Sequence, residues 1–113
     1  MINENINWSD FAKIDIRVGT IIKAEVFEEA KKPAYKLWID FGEVGIKKTS
    51  AQITVLYKVE NLIGQQIIAI INFEPKQIAN FMSECLVLGT INENNTVTLL
   101  SVMQEVKNGL KVG

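Results

Sequence analysis

Histidine is absent from this chain of 113 residues. With it go the usual general base, the usual proton shuttle and the commonest metal ligand. A Ser-His-Asp or Cys-His nucleophilic site cannot be assembled, and metal centres of Cys or His type are excluded as well. Carboxylate sites alone remain, and no carboxylates cluster at the spacing of a calcium loop. Cys85 is the one cysteine, so no intrachain disulfide can form; inside "CLVLG" it reads as a small buried hydrophobe rather than a nucleophile. No phosphate-cradling "GxxxxGK" loop is present. The chemistry these residue types permit is binding, so no enzyme, catalytic residue, metal or cofactor is expected.

The residues best suited to binding fall in "NFEPKQIANFMSECLVLG", positions 72–89. Pro75 pushes Glu74 away from helical angles, so the chain turns after Phe73, and Lys76 points a flexible cation off a turn of fixed shape. The alternative for Lys76 is a solvated turn residue. Phe73, Ile78, Phe81 and Met82 put four large apolar side chains into one short connection, more than a small barrel core can take. Those left near the surface would form either a dimer contact or a groove for apolar peptide segments, and methionine suits a groove that must adapt. Asn72 either caps the turn through nearby backbone or touches a ligand.

Twelve Lys plus Arg against thirteen Asp plus Glu give a formal charge of −1, which argues against holding nucleic acid by net charge. Arg17 is the only arginine, so paired guanidinium forks for phosphate or guanine are in short supply. A local basic patch stays open. The apolar share of 48% and charged share of 22% are those of a soluble globular chain, and its length suits a single domain over residues 1–113. The longest apolar run, residues 67–71, is far short of a membrane span, and "MINENINW" carries no export signal pattern. We expect a cytoplasmic protein without membrane insertion.

The elements that must position these residues are mostly strands. From 14 to 26 the sequence alternates with period two, Ile14, Ile16, Val18, Thr20, Ile22, Ala24 and Val26 on one face, and Gly19 marks a bulge or sharp bend. Before it, Ser9 or Asn7 can cap a short helical turn with Trp8 and Phe11 facing inward. "FEEAKKPA" is a charged loop ending near Pro33. Residues 35–41 alternate again and leave Trp38 on the polar side, as a stacking platform for a base or an interface anchor. Residues 44–48 return as a third strand. Ile53, Leu56 and Tyr57 stand at helical spacing, "IIAIIN" reads as a buried strand, and "CLVLGTI" and "TVTLLSV" as two more separated by "NENN". This is the order of an all-β, five-stranded Greek-key barrel of the OB type, with short helices and the C-terminal extension "KNGLKVG". Residues 72–85 then connect the fourth and fifth strands, a connection that binds ligands in OB folds.

"FAKIDIRVGTIIKAE", "SAQIT", "LIGQQIIAIINFEPKQI" and "SECLVLG" together resemble the tRNA-binding domain family, an OB-fold module free-standing in bacteria and appended to methionyl- and phenylalanyl-tRNA synthetases. The "SAQIT" segment and compact length are similar to its branch of dimeric export chaperones. The resemblance spans roughly residues 8 to 113 and implies a homodimer, unfolded or pre-export polypeptides or tRNA as partners, and no catalysis. It nominates Arg17, Ser50, Gln52, Asn72, Lys76, Ser83 and Glu84. Bland roles compete: Ser50 capping the short helix, Ser83 and Glu84 beginning the fifth strand, Arg17 pairing with Asp15 or Asp40. Asn80 stands where relatives commonly have glycine and tolerates a left-handed backbone. In the tRNA alternative, Arg17, Lys47, Lys48 and Lys76 would meet the RNA backbone.

Overall fold

The computed structural model describes residues 4–113, so the first three positions of the expected domain lie outside the described residues. The chain opens with α1 (Trp8–Ala12), capped by Asn7: its Oδ1 accepts from the Asp10 amide at 3.0 Å, and the Asp10 carboxylate accepts from the Asn7 amide at 3.1 Å. Two orphan donors are satisfied reciprocally, which is enough to set one turn. Trp8 does not face inward as its spacing predicts. It is 76% exposed and leans on Phe11, ring centroids 5.4 Å apart, and no residue of this short helix is buried.

The long alternation becomes β1 (Ile16–Val26). One half of it pairs with β2 (Tyr35–Asp40), the other with β4 (Gln66–Ile70), both antiparallel. The bulge lies between Ile21 and Lys23 rather than at Gly19. Ile21 before the extra residue and Ala24 after it both face the core, while Ile22 and Val26 are exposed against their even-numbered expectation. Gly19 serves close approach instead: a Cβ there would stand 2.6 Å from Ile39 Cγ2 and 2.7 Å from the Phe41 ring. After the 3-10 turn Gly42–Val44 comes β3 (Ile46–Ala51), which pairs with β2. Ser50 therefore lies in a strand and caps no helix. The helical spacing at residues 53–57 yields no helix, because Tyr35 Oη donates to the Tyr57 carbonyl at 2.7 Å and the Leu99 amide donates to Tyr57 Oη at 3.0 Å, pinning the segment in irregular form. Helix α2 is only Val59–Leu62.

The connection after β4 is itself a hairpin, β5 (Lys76–Ile78) and β6 (Phe81–Ser83), with Ala79 and Asn80 at its tip. Ala79, not Asn80, takes the left-handed angle, at φ 52°. Next come β7 (Leu86–Val87), paired with β4, and the small β8 (Gly89–Ile91) and β9 (Val97–Leu99) hairpin. The main sheet runs β3-β2-β1-β4-β7 and curls into a nearly closed, five-stranded antiparallel barrel of the OB type, with few short helices and a C-terminal extension. Ile21, Leu37, Ile39, Phe41, Leu62 and Ile67 fill it, each at most 2% exposed. The extension lies along β1: the Val18 amide donates to the Leu110 carbonyl at 3.0 Å, and the Gly109 amide to the Val18 carbonyl at 2.7 Å.

Closure between β3 and the β6–β7 segment relies on side chains where a regular ladder is missing. The Glu84 amide donates to the Lys48 carbonyl at 2.8 Å while the Lys48 amide donates to Glu84 Oε1 at 3.0 Å. Thr49 Oγ1 donates to the Cys85 carbonyl at 2.6 Å, so its single proton is committed and Ser83 must donate to Thr49, 2.7 Å away. Ser83 Oγ in turn accepts from the Ser50 amide at 3.3 Å. This seam fixes one wall of a surface groove, to which Ser50, Ser83 and Cys85 contribute.

Candidate binding groove

A groove of about 950 Å³ opens at one end of the barrel. Its walls are residues 29–32 of the β1–β2 loop, residues 50–53 at the end of β3, and residues 76–79 with Phe73 and Glu74 before them. Ala34, Ile53, Val87, Val97 and Leu99 give it an apolar lining, and Lys31, Lys32, Lys76, Glu29 and Glu74 bring charge to it. The volume is that of a ligand site, and the lining favours apolar groups with a few polar anchors.

The structure brings six of the expected site residues together here: Ser50, Gln52, Phe73, Lys76, Ile78 and Ser83 all line the groove. The four large apolar side chains of the connection part company. Phe81 is 6% exposed, but its burial is outside the barrel core, in a second cluster with Phe27 and Ala34 on which Ile78 and Trp38 pack. Phe73 is 55% exposed at the groove and Met82 40% exposed off it. Asn72 is a clip: Nδ2 donates to the Lys13 carbonyl at 2.7 Å and Oδ1 accepts from the Asp15 amide at 3.0 Å, continuing the pairing begun by the Ile71 amide and Asp15 carbonyl. Glu84 belongs to the seam described above.

Cys85 also reaches the groove wall, 6% exposed. Burial pushes its thiol up to about 12, against the smaller opposing pull of the Lys47 charge, so it stays protonated and unreactive near neutrality. Among the described residues no group of three or more His, Cys, Asp or Glu side chains is placed to hold a metal.

A second surface lies on the outer face of β2 and β3. Trp38 and Lys48 pair across those strands, and Lys23 of β1 pairs with Trp38 from the other side. Lys23 Nζ sits 4.6 Å from the Trp38 ring centroid; Lys36 and Lys48 sit 5.4 and 5.1 Å from that of Phe81. Such cation–π contacts are each worth about 0.5–1 kcal/mol at exposed sites. Phe81 meets Trp38 edge-on at 5.8 Å and Phe27 at 5.5 Å. Lys47 is half-buried at the register position of Ile39. Arg17 is in neither surface. Its Nε and Nη2 donate to the Asp15 carboxylate at 2.6 and 3.3 Å and its Nη1 to the Gly109 carbonyl at 3.0 Å, and the bond to Asp15 raises its pKa. It ties the C-terminal extension to β1 and lines a small depression of about 150 Å³.

The groove wall at residues 29–32 and the lysines at 23 and 36 beside Trp38 and Phe81 are positions that the sequence did not single out. The loop's signal was "FEEAKKPA" itself, a charged turn between the first two strands, at the barrel end where the fourth-to-fifth strand connection also arrives.

Residues 16–111 match the family described as "Putative tRNA binding domain". The methionine–tRNA ligase of Methanocaldococcus jannaschii is 36% identical over 109 residues, 96% of this chain but 16% of that protein. The chain thus spans about a sixth of the length of the curated relatives it matches. The crystal structure of chaperone CsaA from Bacillus anthracis superposes with a TM-score of 0.93 at 51% identity, covering 97% of this chain and all of that one. The CsaA chaperone protein from Picrophilus torridus gives 0.90 at 53% identity, covering 96% of this chain and all of that one.

Proposed function

Because this chain belongs to the tRNA-binding-domain family, in which two solved structures matched over their whole length carry the name chaperone, we propose that it is a non-enzymatic, cytoplasmic chaperone. It holds unfolded or pre-export polypeptide as a homodimer of one domain per chain. The observation that carries this reading is the apolar groove of about 950 Å³. A micromolar complex needs about 8 kcal/mol. One covered apolar side chain brings about 1.5–3 kcal/mol before the costs of ordering, so several must be seated together and the ligand is a stretch of chain rather than a single residue. Ser50, Gln52 and Ser83 supply polar groups along the wall. Support for the dimer comes from apolar residues left at the surface, Ile6, Trp8, Ile91 and Met103 among them; a sedimentation mass of one chain at micromolar concentration would remove it.

The test is fluorescence anisotropy of a labelled, permanently unfolded polypeptide. Binding should be near-independent of salt, and Phe73→Ala should weaken it by about tenfold, the loss of roughly half a phenylalanine's burial. No binding, or binding indifferent to Phe73 and to Ile78→Ser together, overturns the reading.

A second reading is tRNA binding, favoured by the Lys23, Lys36 and Lys48 stack over Trp38 and Phe81. RNA held there would neutralise phosphates, so its affinity would fall steeply with salt. A tRNA titration flat in salt, or no complex at low salt, removes it.

A further inference from the structure

Charge at the groove mouth is not balanced. Lys31, Lys32 and Lys76 form no ion pair among the described residues, whereas Glu29 is drawn to Lys36 Nζ, 3.8 Å away and outside the wall. Glu74 is the one remaining carboxylate. The three lysines come from two elements, the β1–β2 loop and the start of β5, so they bracket the apolar lining rather than crowd at one point. Gln52, at the end of β3, leaves both its backbone N–H and its carbonyl without a protein partner among the described residues, an edge suited to an extended segment.

We propose that the groove selects extended apolar segments flanked by aspartate or glutamate, and that Lys31, Lys32 and Lys76 read the flanking carboxylates. This rests on the reading of the groove as a polypeptide site. Apolar burial then supplies the affinity and the lysines the selection. An exposed pair contributes about 0.2–1 kcal/mol, so two or three partial pairs amount to about a three- to tenfold preference. Screening over a Debye length of about 10 Å at 0.1 M salt should erode that preference while leaving the apolar part.

The experiment compares three end-capped peptides with one apolar core, flanked by Asp-Glu, Ser-Ser or Lys-Lys, by titration calorimetry on the full chain at low and high salt. The acidic flanks should bind about three- to tenfold tighter than the serine flanks, with the lysine flanks weakest. The order should flatten at high salt and in the triple variant Lys31→Ser, Lys32→Ser, Lys76→Ser. These are exposed positions whose loss leaves the core intact, and circular dichroism of the variant confirms the fold. Equal affinity for all three peptides, or tightest binding of the lysine flanks, overturns the selection while leaving the groove a peptide site. Failure of all three to bind, including the case in which only an RNA oligomer binds, takes down both readings.

Discussion

Thr49→Val tests the seam that closes the barrel. Thr49 is 1% exposed, and its hydroxyl gives its one proton to the Cys85 carbonyl at 2.6 Å while accepting from Ser83. Valine keeps the shape and removes both bonds. The Ser83 hydroxyl can rotate to another acceptor, but the Cys85 carbonyl has no second donor among the described residues, so the cost is that of one stranded acceptor plus a partly recovered bond. That places the loss at about 2 kcal/mol, within the 1–3 kcal/mol expected for an unsatisfied buried group. For a chain of this size it lowers Tm by about 8 °C. Urea denaturation followed by tryptophan fluorescence gives the free energy. Thr49→Ser keeps the hydroxyl, so it should lose only the buried methyl, about 1 kcal/mol. In a double-mutant cycle Thr49→Val and Ser83→Ala should couple by at least about 0.5 kcal/mol, since they share one bond. Ser83 and Cys85 also line the groove, so peptide affinity should drop with the seam. If valine costs less than about 0.5 kcal/mol, the closure does not depend on this hydroxyl and the seam argument is wrong.

Gly19→Ala should cost about 1–3 kcal/mol by overpacking, because the new methyl meets Ile39 and Phe41 at 2.6–2.8 Å; a Tm within a degree of the parent refutes the close-approach role. The Cys85 thiol is raised from its ordinary 9.0 to about 12, so the native state holds a proton the unfolded chain releases. Stability is therefore undiminished below about pH 9 and falls as pH rises toward 12, by at most about 1.4 kcal/mol per unit. Cys85→Ala should flatten that slope in denaturation measured across the range, and alkylation of the native thiol near pH 8 should be slow. Arg17→Ala should change stability little, since its pair with Asp15 is partly solvated. It should nonetheless speed hydrogen exchange at residues 109–112, where the extension loses the Arg17 bond to Gly109; unchanged exchange there would show that backbone pairing alone holds it.

What could be read from the sequence was set by local geometry. Period two is a property of each strand alone, so β1 and β2 were legible as strands and the face of β2 could be read, including the outward Trp38, whereas the inward face of β1 could not. The bulge after Ile21 was not legible, because it exists only as a mismatch of register with β2, a partner more than a dozen residues away. The β5–β6 hairpin escaped for a different reason. Its tip puts alanine, a residue with a Cβ penalty, at φ 52°, and no glycine marks the turn. The extension along β1 has no alternation at all. It is held by backbone bonds and by the approach of Gly109 to the Phe41 carbonyl, 2.4 Å from where a Cβ would stand. At the groove, positions 50, 52, 73, 76, 78 and 83 were legible because one connection and one strand end supply them; the charged loop that faces them was legible only as a loop.

The excess of apolar residues in the 72–85 connection has a physical outlet that also joins the two candidate surfaces. Phe81 cannot enter a barrel already filled by Phe41, Leu37 and Ile39, so it buries against Phe27 and Ala34 on the outside. In doing so it clamps the β5–β6 hairpin to the outer face of the sheet and places Ile78 and Ala34 where they line the groove. The same ring carries the Lys36 and Lys48 ammonium groups on its other contacts. Were a groove ligand to displace the hairpin, the ring beneath the lysines would move with it, and a phosphate that drew the lysines away would remove part of what holds the ring. Linkage makes that coupling reciprocal. Two ligands on opposite sides of Phe81 are thus expected to report on each other, in the same sense and by the same factor, without sharing a single contact residue.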